Sequence, residues 1–330
     1  MLKKEIDYTP YDFEAVKVLS DFLPERIFDA HSHLFSSEFL PNATGSNSTI
    51  IADIADYKKA MMPMLCNPKE LRLNIIPYVA DISLADSSCG NLRKSDAFLI
   101  SQLDLSDNNI GEIIVLPEET SDDIQKRLIH PGIRGLKCYF LLSSEPNPSQ
   151  LPPERYLSEG AWEVAHKNKM CITLHLARDK SLSDPLNMSY IKTMAARFPN
   201  ASLILAHAGR AFASWTCVEA VYELAHFDNI WFDFSAVCES PAIFQTLSKI
   251  GTERCMWGSD FPVCNMHGKA ISIGDTFYWI DENDIPSLSQ KWVLGIENLM
   301  AVRQACIMAD LSANQVEDIF YNNAARLWNK

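Results

Sequence analysis

The stretch RIFDAHSHLF, residues 26–35, places His31 and His33 one residue apart behind the apolar pair Ile27 and Phe28. On a β-strand alternate side chains share a face, so the two imidazoles would project from one side about 7 Å apart along the strand. At that spacing both can reach one metal ion. An isolated H-x-H pair is more often the mark of solvated or packed histidines, so its meaning turns on what else the chain supplies.

Three further residues have the right chemistry and the same setting: His175 in CITLHLA, His207 in LILAHAG and Asp260 in MWGSDFP each close a short apolar run. Neutral imidazoles with one carboxylate suit a borderline divalent ion, Zn2+ first and Mn2+ second, and leave the centre a net positive charge. Such a charge lowers the pKa of a bound water towards about 7. Asp260 could then hold the metal and accept the attacking water's proton. His207, as a ligand or not, could polarise a substrate oxygen or shuttle a proton. Arg178 and Arg210 each follow a histidine by three residues, where a guanidinium can fork onto a substrate carboxylate. The alternative for both arginines is a structural ion pair.

These residues must be held by something rigid. Eight apolar, β-rich runs are expected as strands, at 27–33, 74–81, 110–116, 133–140, 170–176, 202–207, 229–236 and 254–260. Several are apolar at nearly every position, as strands buried on both faces of a parallel sheet are. Helical patterns separate them, among them GAWEVAHKNK, NMSYIKTMAARF, TCVEAVYELAHF and PAIFQTLSKI. Eight β-then-α units predict an α/β fold of the (β/α)8 TIM-barrel type, with an open doubly wound sheet as the alternative. The expected layout is one domain over 1–330: an N-terminal arm to residue 25, a barrel core at about 26–286 and C-terminal helices over 287–330, where Ser312 and Gln315 form a capping box.

Catalysis on such a barrel sits at the C-terminal ends of the strands. His31, His33, His175, His207 and Asp260 all fall there. His166 and His226 fall in helical patterns and His130 and His267 in connections, where surface or packing roles are expected. Lys137, in RGLKCYF, ends the fourth strand and would line the same mouth. The long segments 34–56 and 261–289 would overhang it, the second carrying Phe277, Tyr278 and Trp279 as an apolar wall.

Composition narrows the partners. A net charge of -13 opposes nucleic acid and anionic membranes, since phosphate binding depends on clustered Lys and Arg. No apolar run approaches the roughly 18 residues of a membrane span, and no signal-like leader opens the chain, so a cytoplasmic address is expected. Nine scattered cysteines without a C-x-x-C pair read as reduced, packed thiols. The N-x-S/T matches at Asn42, Asn47 and Asn187 are then accidental. The expected partner is a small, anionic substrate; a homo-oligomer is left open.

Together DAHSH, LHLA, LAHAG, WGSDFP and the tail IFYNNAARLW, in order over residues 26–328, resemble the amidohydrolase superfamily, and within it the amidohydrolase-related group of metal-dependent hydrolases and decarboxylases. The resemblance implies His31, His33, His175 and Asp260 as metal ligands and His207 as a catalytic or secondary metal residue. One divalent ion is usual in that group; two are implied if Lys137 is a carboxylated bridge. Hydrolysis of a C–N or C–O bond, as in a lactone or amide of a small carboxylic acid, is the first expectation and non-oxidative decarboxylation the alternative. A barrel that only keeps structural zinc is disfavoured, because such sites are closed by four protein ligands.

Overall fold

The computed structural model describes residues 4–40, 50–85, 90–106, 108–274 and 276–329. Asn42, Asn47, one of the nine cysteines (Cys89) and part of the segment after the first strand lie outside the described residues. The eight described cysteines are free thiols. Asn187 is buried, and its side-chain amide donates to the carbonyls of Ala177 and Ser181. No described helix is long and apolar enough to cross a membrane.

All eight expected strands are present: β1 (Arg26–Ser36), β2 (Glu70–Pro77), β3 (Ile110–Ile114), β4 (Ile133–Cys138), β5 (Cys171–Leu174), β6 (Ser202–Leu205), β7 (Ile230–Asp233) and β8 (Cys255–Met256). Each pairs in parallel with the next in sequence. The two edges of this sheet also meet. Ala30 N–H donates to Trp257 O at 3.0 Å, Asp260 N–H to His31 O at 2.8 Å and His33 N–H to Phe261 O at 2.7 Å, with Ser32 and Phe261 bridged in parallel. These bonds close the sheet into a barrel and remove the open-sheet alternative.

The helices start and stop where their caps dictate. Ser158 accepts from Ala161 N–H to open Glu159–Asn168, which ends at Lys169 in a left-handed conformation. Asp184 caps Pro185–Arg197, and Ser240–Ile250 buries Ala242, Ile243, Thr246, Leu247 and Ile250 as one stripe. The pattern TCVEAVYELAHF does not make one helix. It splits into Ser214–Val218 and a 3-10 turn at Val221–Leu224, with Cys217, Val221 and Leu224 still buried, so a shared apolar face survives the break. The N-terminal arm contains a helix, Pro10–Leu19, opened by a Thr9/Asp12 capping box, and Ser312/Gln315 form the expected box before Ala313–Glu317.

The last helix, Asn323–Trp328, plugs the N-terminal end of the barrel. Phe28, Ile204, Trp231 and Met256 form its floor with Tyr321, Leu327 and Trp328, the rings of Phe28 and Trp328 lying 5.3 Å apart. The opposite end is left for chemistry. Above it stands a hairpin, β9 (Gly268–Ile273) with β10 (Thr276–Asp281).

Candidate metal centre and active site

The C-terminal part of β1 is shaped to present its histidines. Its pairing with β2 is irregular between Asp29 and Ser32, and such bulges re-aim side chains. Asp29, buried beneath, accepts from the backbone N–H groups of His31 and Ser259 and, at 2.5 Å, from the Tyr57 hydroxyl; burial pushes its carboxyl up to about 6. The segment after β8 lies against His31 so tightly that a Cβ at Gly258 would meet the His31 Cβ at 2.7 Å. Glycine before Ser259 and Asp260 is therefore a packing requirement.

The donor atoms converge. His31 Nε2 and His33 Nε2 are 3.1 Å apart, and Asp260 Oδ1 lies 3.4 Å from His33 Nε2 and 3.8 Å from His31 Nε2. Ligand atoms of His31, His207 and Asp260 all lie within 4.8 Å of one another. His175 sits one ring further out, its ring centroid 4.9 Å from that of His207. The compact cluster thus takes in His207, where the family resemblance put His175 among the ligands. Lys137 Nζ stands 3.3 Å from His31 Nε2. All six of these side chains are buried.

Hydrogen bonds behind the cluster fix the imidazole tautomers. His31 Nδ1 faces Asp233 Oδ2 at 3.0 Å and His33 Nδ1 faces the Ile76 carbonyl at 3.3 Å. His207 Nδ1 faces the Ser235 carbonyl at 2.9 Å. Each of these partners accepts, so each Nδ1 carries the proton and each Nε2 keeps its lone pair. Asp233 Oδ1 also accepts from the backbone N–H groups of His207 and Ser235 and from the Ser235 hydroxyl.

Burial, and then the Lys137 charge, push His31 down to about 3, and burial likewise lowers His33 and His175. Burial opposes ionisation of Asp260, but the surrounding His207, His33 and His31 hold its carboxyl below the usual carboxylate range. Two facing imidazole lone pairs beside a carboxylate repel unless a cation lies among them. Two nitrogens bound tetrahedrally to one Zn2+ would be about 3.3 Å apart, close to the observed 3.1 Å. The donor set therefore fits a divalent metal ion.

A cavity of about 270 Å3 opens over this cluster, lined among others by Tyr78, Tyr139, Arg210 and Trp279. That is just below the roughly 300–1,000 Å3 usual for ligand sites. The two arginines part company here. Arg178 Nε pairs with Asp184 at 2.8 Å, its Nη1 donates to Gln150 O, and it does not line the cavity; its role is the structural ion pair. Arg210 does line it. Its Nη1 donates to Arg178 O at 2.9 Å, its guanidinium lies 5.0 Å over the Phe277 ring, and its buried Nε has no hydrogen-bond partner in the protein. The hairpin alternation divides the expected aromatic wall. Trp279 faces the cavity, Phe277 packs on Phe212, and Tyr278 points outward, 55% exposed.

Sequence reasoning missed Asp233, Ser235, Tyr78 and Tyr139. Asp233 closes β7, so the strand-end test that selected Asp260 would have found it. Tyr139 follows β4 two residues after Lys137 in extended backbone, so the alternation that aims Lys137 inward aims Tyr139 inward too.

The Amidohydro_2 family model, described as amidohydrolase, matches residues 28–330. The chain belongs to the amidohydrolase family. This makes it a member of a family of metal-dependent enzymes. No curated protein matches it in sequence. Among solved structures it is similar to an amidohydrolase from Burkholderia multivorans with bound zinc, at 14% identity and a TM-score of 0.58, covering 92% of this chain and 99% of that one. It is similar to a putative 2-pyrone-4,6-dicarboxylic acid hydrolase from Pseudomonas putida, at 14% identity and TM-score 0.57, with 93% and 98% covered. It also resembles a 2,6-dihydroxybenzoate decarboxylase complexed with 2,6-dihydroxybenzoate, at 13% identity and TM-score 0.54, with 92% and 99% covered. At these identities the likeness is one of fold, and it spans both hydrolases and a decarboxylase.

Proposed function

We propose that the protein is a metal-dependent hydrolase acting on a C–N or C–O bond of a small, carboxylate-bearing substrate such as a lactone or amide. The observation that carries this reading is the Asp260 carboxylate, held anionic at the edge of the histidine cluster and lining the cavity. A divalent ion, Zn2+ first, held by His31, His33, Asp260 and His207 or His175, would supply Lewis acidity and an acidified water. Asp260 accepts the proton of the attacking water. Arg210, with Nε unpartnered, takes the substrate carboxylate, and Tyr78 and Tyr139 stay protonated, burial pushing Tyr78 up to about 12 and raising Tyr139 further. Their hydroxyls serve as donors to substrate oxygens.

A first candidate is 2-pyrone-4,6-dicarboxylate, the compound named for one structural neighbour. Turnover in 18O-labelled water is expected to place label in a newly formed carboxylate, and Asp260→Asn to lower kcat by about 10²–10⁴, the usual worth of a positioned proton acceptor. Release of CO2 with solvent hydrogen on the adjacent carbon, from this or another small acid, would replace hydrolysis by decarboxylation.

A further inference from the structure

Residues His207, Ala208, Gly209 and Arg210 have φ of 56, 51, 74 and 63°, four consecutive positions in the left-handed region. They form a real turn. Gly209 N–H and Arg210 N–H both donate to Ala206 O at 3.0 Å, and Ala211 N–H to His207 O at 2.7 Å. L-residues avoid this conformation because Cβ crowds the following carbonyl, and only as isolated residues is it routine. Three of these four residues are not glycine. Such a stretch persists only where its surroundings over-determine it, and it gathers at functional sites.

Both ends of the turn are pinned. His207 gives its N–H to Asp233 and its Nδ1–H to Ser235 O, while Arg210 is tied to Arg178 O and stacked on Phe277. Side chains three apart on a helical turn share a face, and His207 and Arg210 both line the cavity. The middle residues do not. Ala208 is fully buried, and a Cβ on Gly209 would point at Leu182, 3.2 Å away.

We propose that this left-handed turn is a specificity-determining spacer: Ala208 and Gly209, which never touch the substrate, fix the separation between the imidazole cluster and the Arg210 guanidinium. The site thereby selects substrates by the distance between their reacting centre and their anionic group. The spacer rests on the reading of Arg210 as the carboxylate anchor.

The test is calorimetric titration of Zn2+-loaded protein with phthalate, isophthalate and terephthalate, inert probes whose two carboxylates differ only in spacing. Wild-type protein is expected to bind one isomer at least tenfold more tightly than the other two. Arg210→Met should weaken that isomer at least tenfold. Gly209→Ala adds a Cβ at φ 74° and 3.2 Å from Leu182, so it must shift the turn; it should narrow the isomer ratio below threefold, with metal content unchanged and Tm held within a few degrees. Mere loss of stability would not move that ratio. A wild-type ratio retained in Gly209→Ala, or equal binding of all three isomers by wild type, overturns the spacer while leaving the anchor to Arg210→Met. No effect of Arg210→Met, or no binding of any isomer, overturns the anchor and the spacer with it.

Discussion

His31 and Asp233 meet across the barrel mouth at 3.0 Å, both side chains completely buried. A carboxylate can only accept there, so it forces the imidazole proton onto Nδ1 and turns a lone pair towards His33. In Asp233→Asn the amide can present its NH2 instead, which moves the proton to Nε2 and blocks that lone pair. Metal affinity is expected to fall by about 10–100-fold, as for other residues that orient a ligand from behind. Competition with a chromophoric zinc chelator measures this; unchanged affinity would sink the assignment.

Lys137 is the next point of decision. Its pKa is lowered by burial, and its Nζ lies 3.3 Å from His31 Nε2. As a lining amine, its replacement in Lys137→Met leaves one ion per chain and chiefly raises KM. Elemental analysis after dialysis checks the count, and a fall from two ions to one would make it a carboxylated bridge.

Glu112 gives a pH signature within the barrel. Its Oε1 accepts from Asn74 at 2.8 Å and Thr173 at 2.9 Å, its Oε2 is buried without a partner, and burial pushes the carboxyl from 4.5 up to about 7. Between those values the native state keeps a proton that the unfolded chain has lost, so this group makes stability fall as pH rises. Glu112→Gln keeps an acceptor for both donors and removes the titration. Urea denaturation should then show a smaller loss of stability from pH 5 to pH 8 than in wild type; equal losses would refute the buried-acid account.

His267 is buried with Nδ1 2.7 Å from Lys291 O and Nε2 3.0 Å from Asp7 O, tying the N-terminal arm to the segment after the hairpin. His267→Ala leaves two carbonyls without that ring and is expected to cost about 1–3 kcal/mol of stability. Metal content should stay at the wild-type level. Thermal unfolding and elemental analysis read the two effects separately, and loss of metal would contradict a purely structural role.

The barrel was legible because parallel strands buried on both faces are apolar without alternation, and several are followed closely by a residue too polar for that interior. His31, His33, His175, His207 and Asp260 stood out for that reason. Asp233 did not, since the expected seventh strand ran on to residue 236 and put this aspartate inside it, whereas the strand ends at Asp233. Arg178 and Arg210 were indistinguishable by spacing. What separates them is Asp184, whose carboxylate reaches one and not the other. The hand of the turn at His207 was equally hidden, because the contacts that hold it against its local steric cost are tertiary.

Barrel closure also sets a timetable for the centre. Hydrogen bonds from Ala30, His33 and Asp260 join the first strand to the end of the eighth, so His31 and His33 leave the ribosome long before the carboxylate they face. Well over two hundred residues lie between them, which at about 5–20 residues per second is roughly 10–50 s of synthesis. Until His175 and His207 follow, the H-x-H pair has no third imidazole beside it, and until Asp260 follows it has no carboxylate. Metal capture into the finished site is therefore a late event, complete only when the chain has gone full circle.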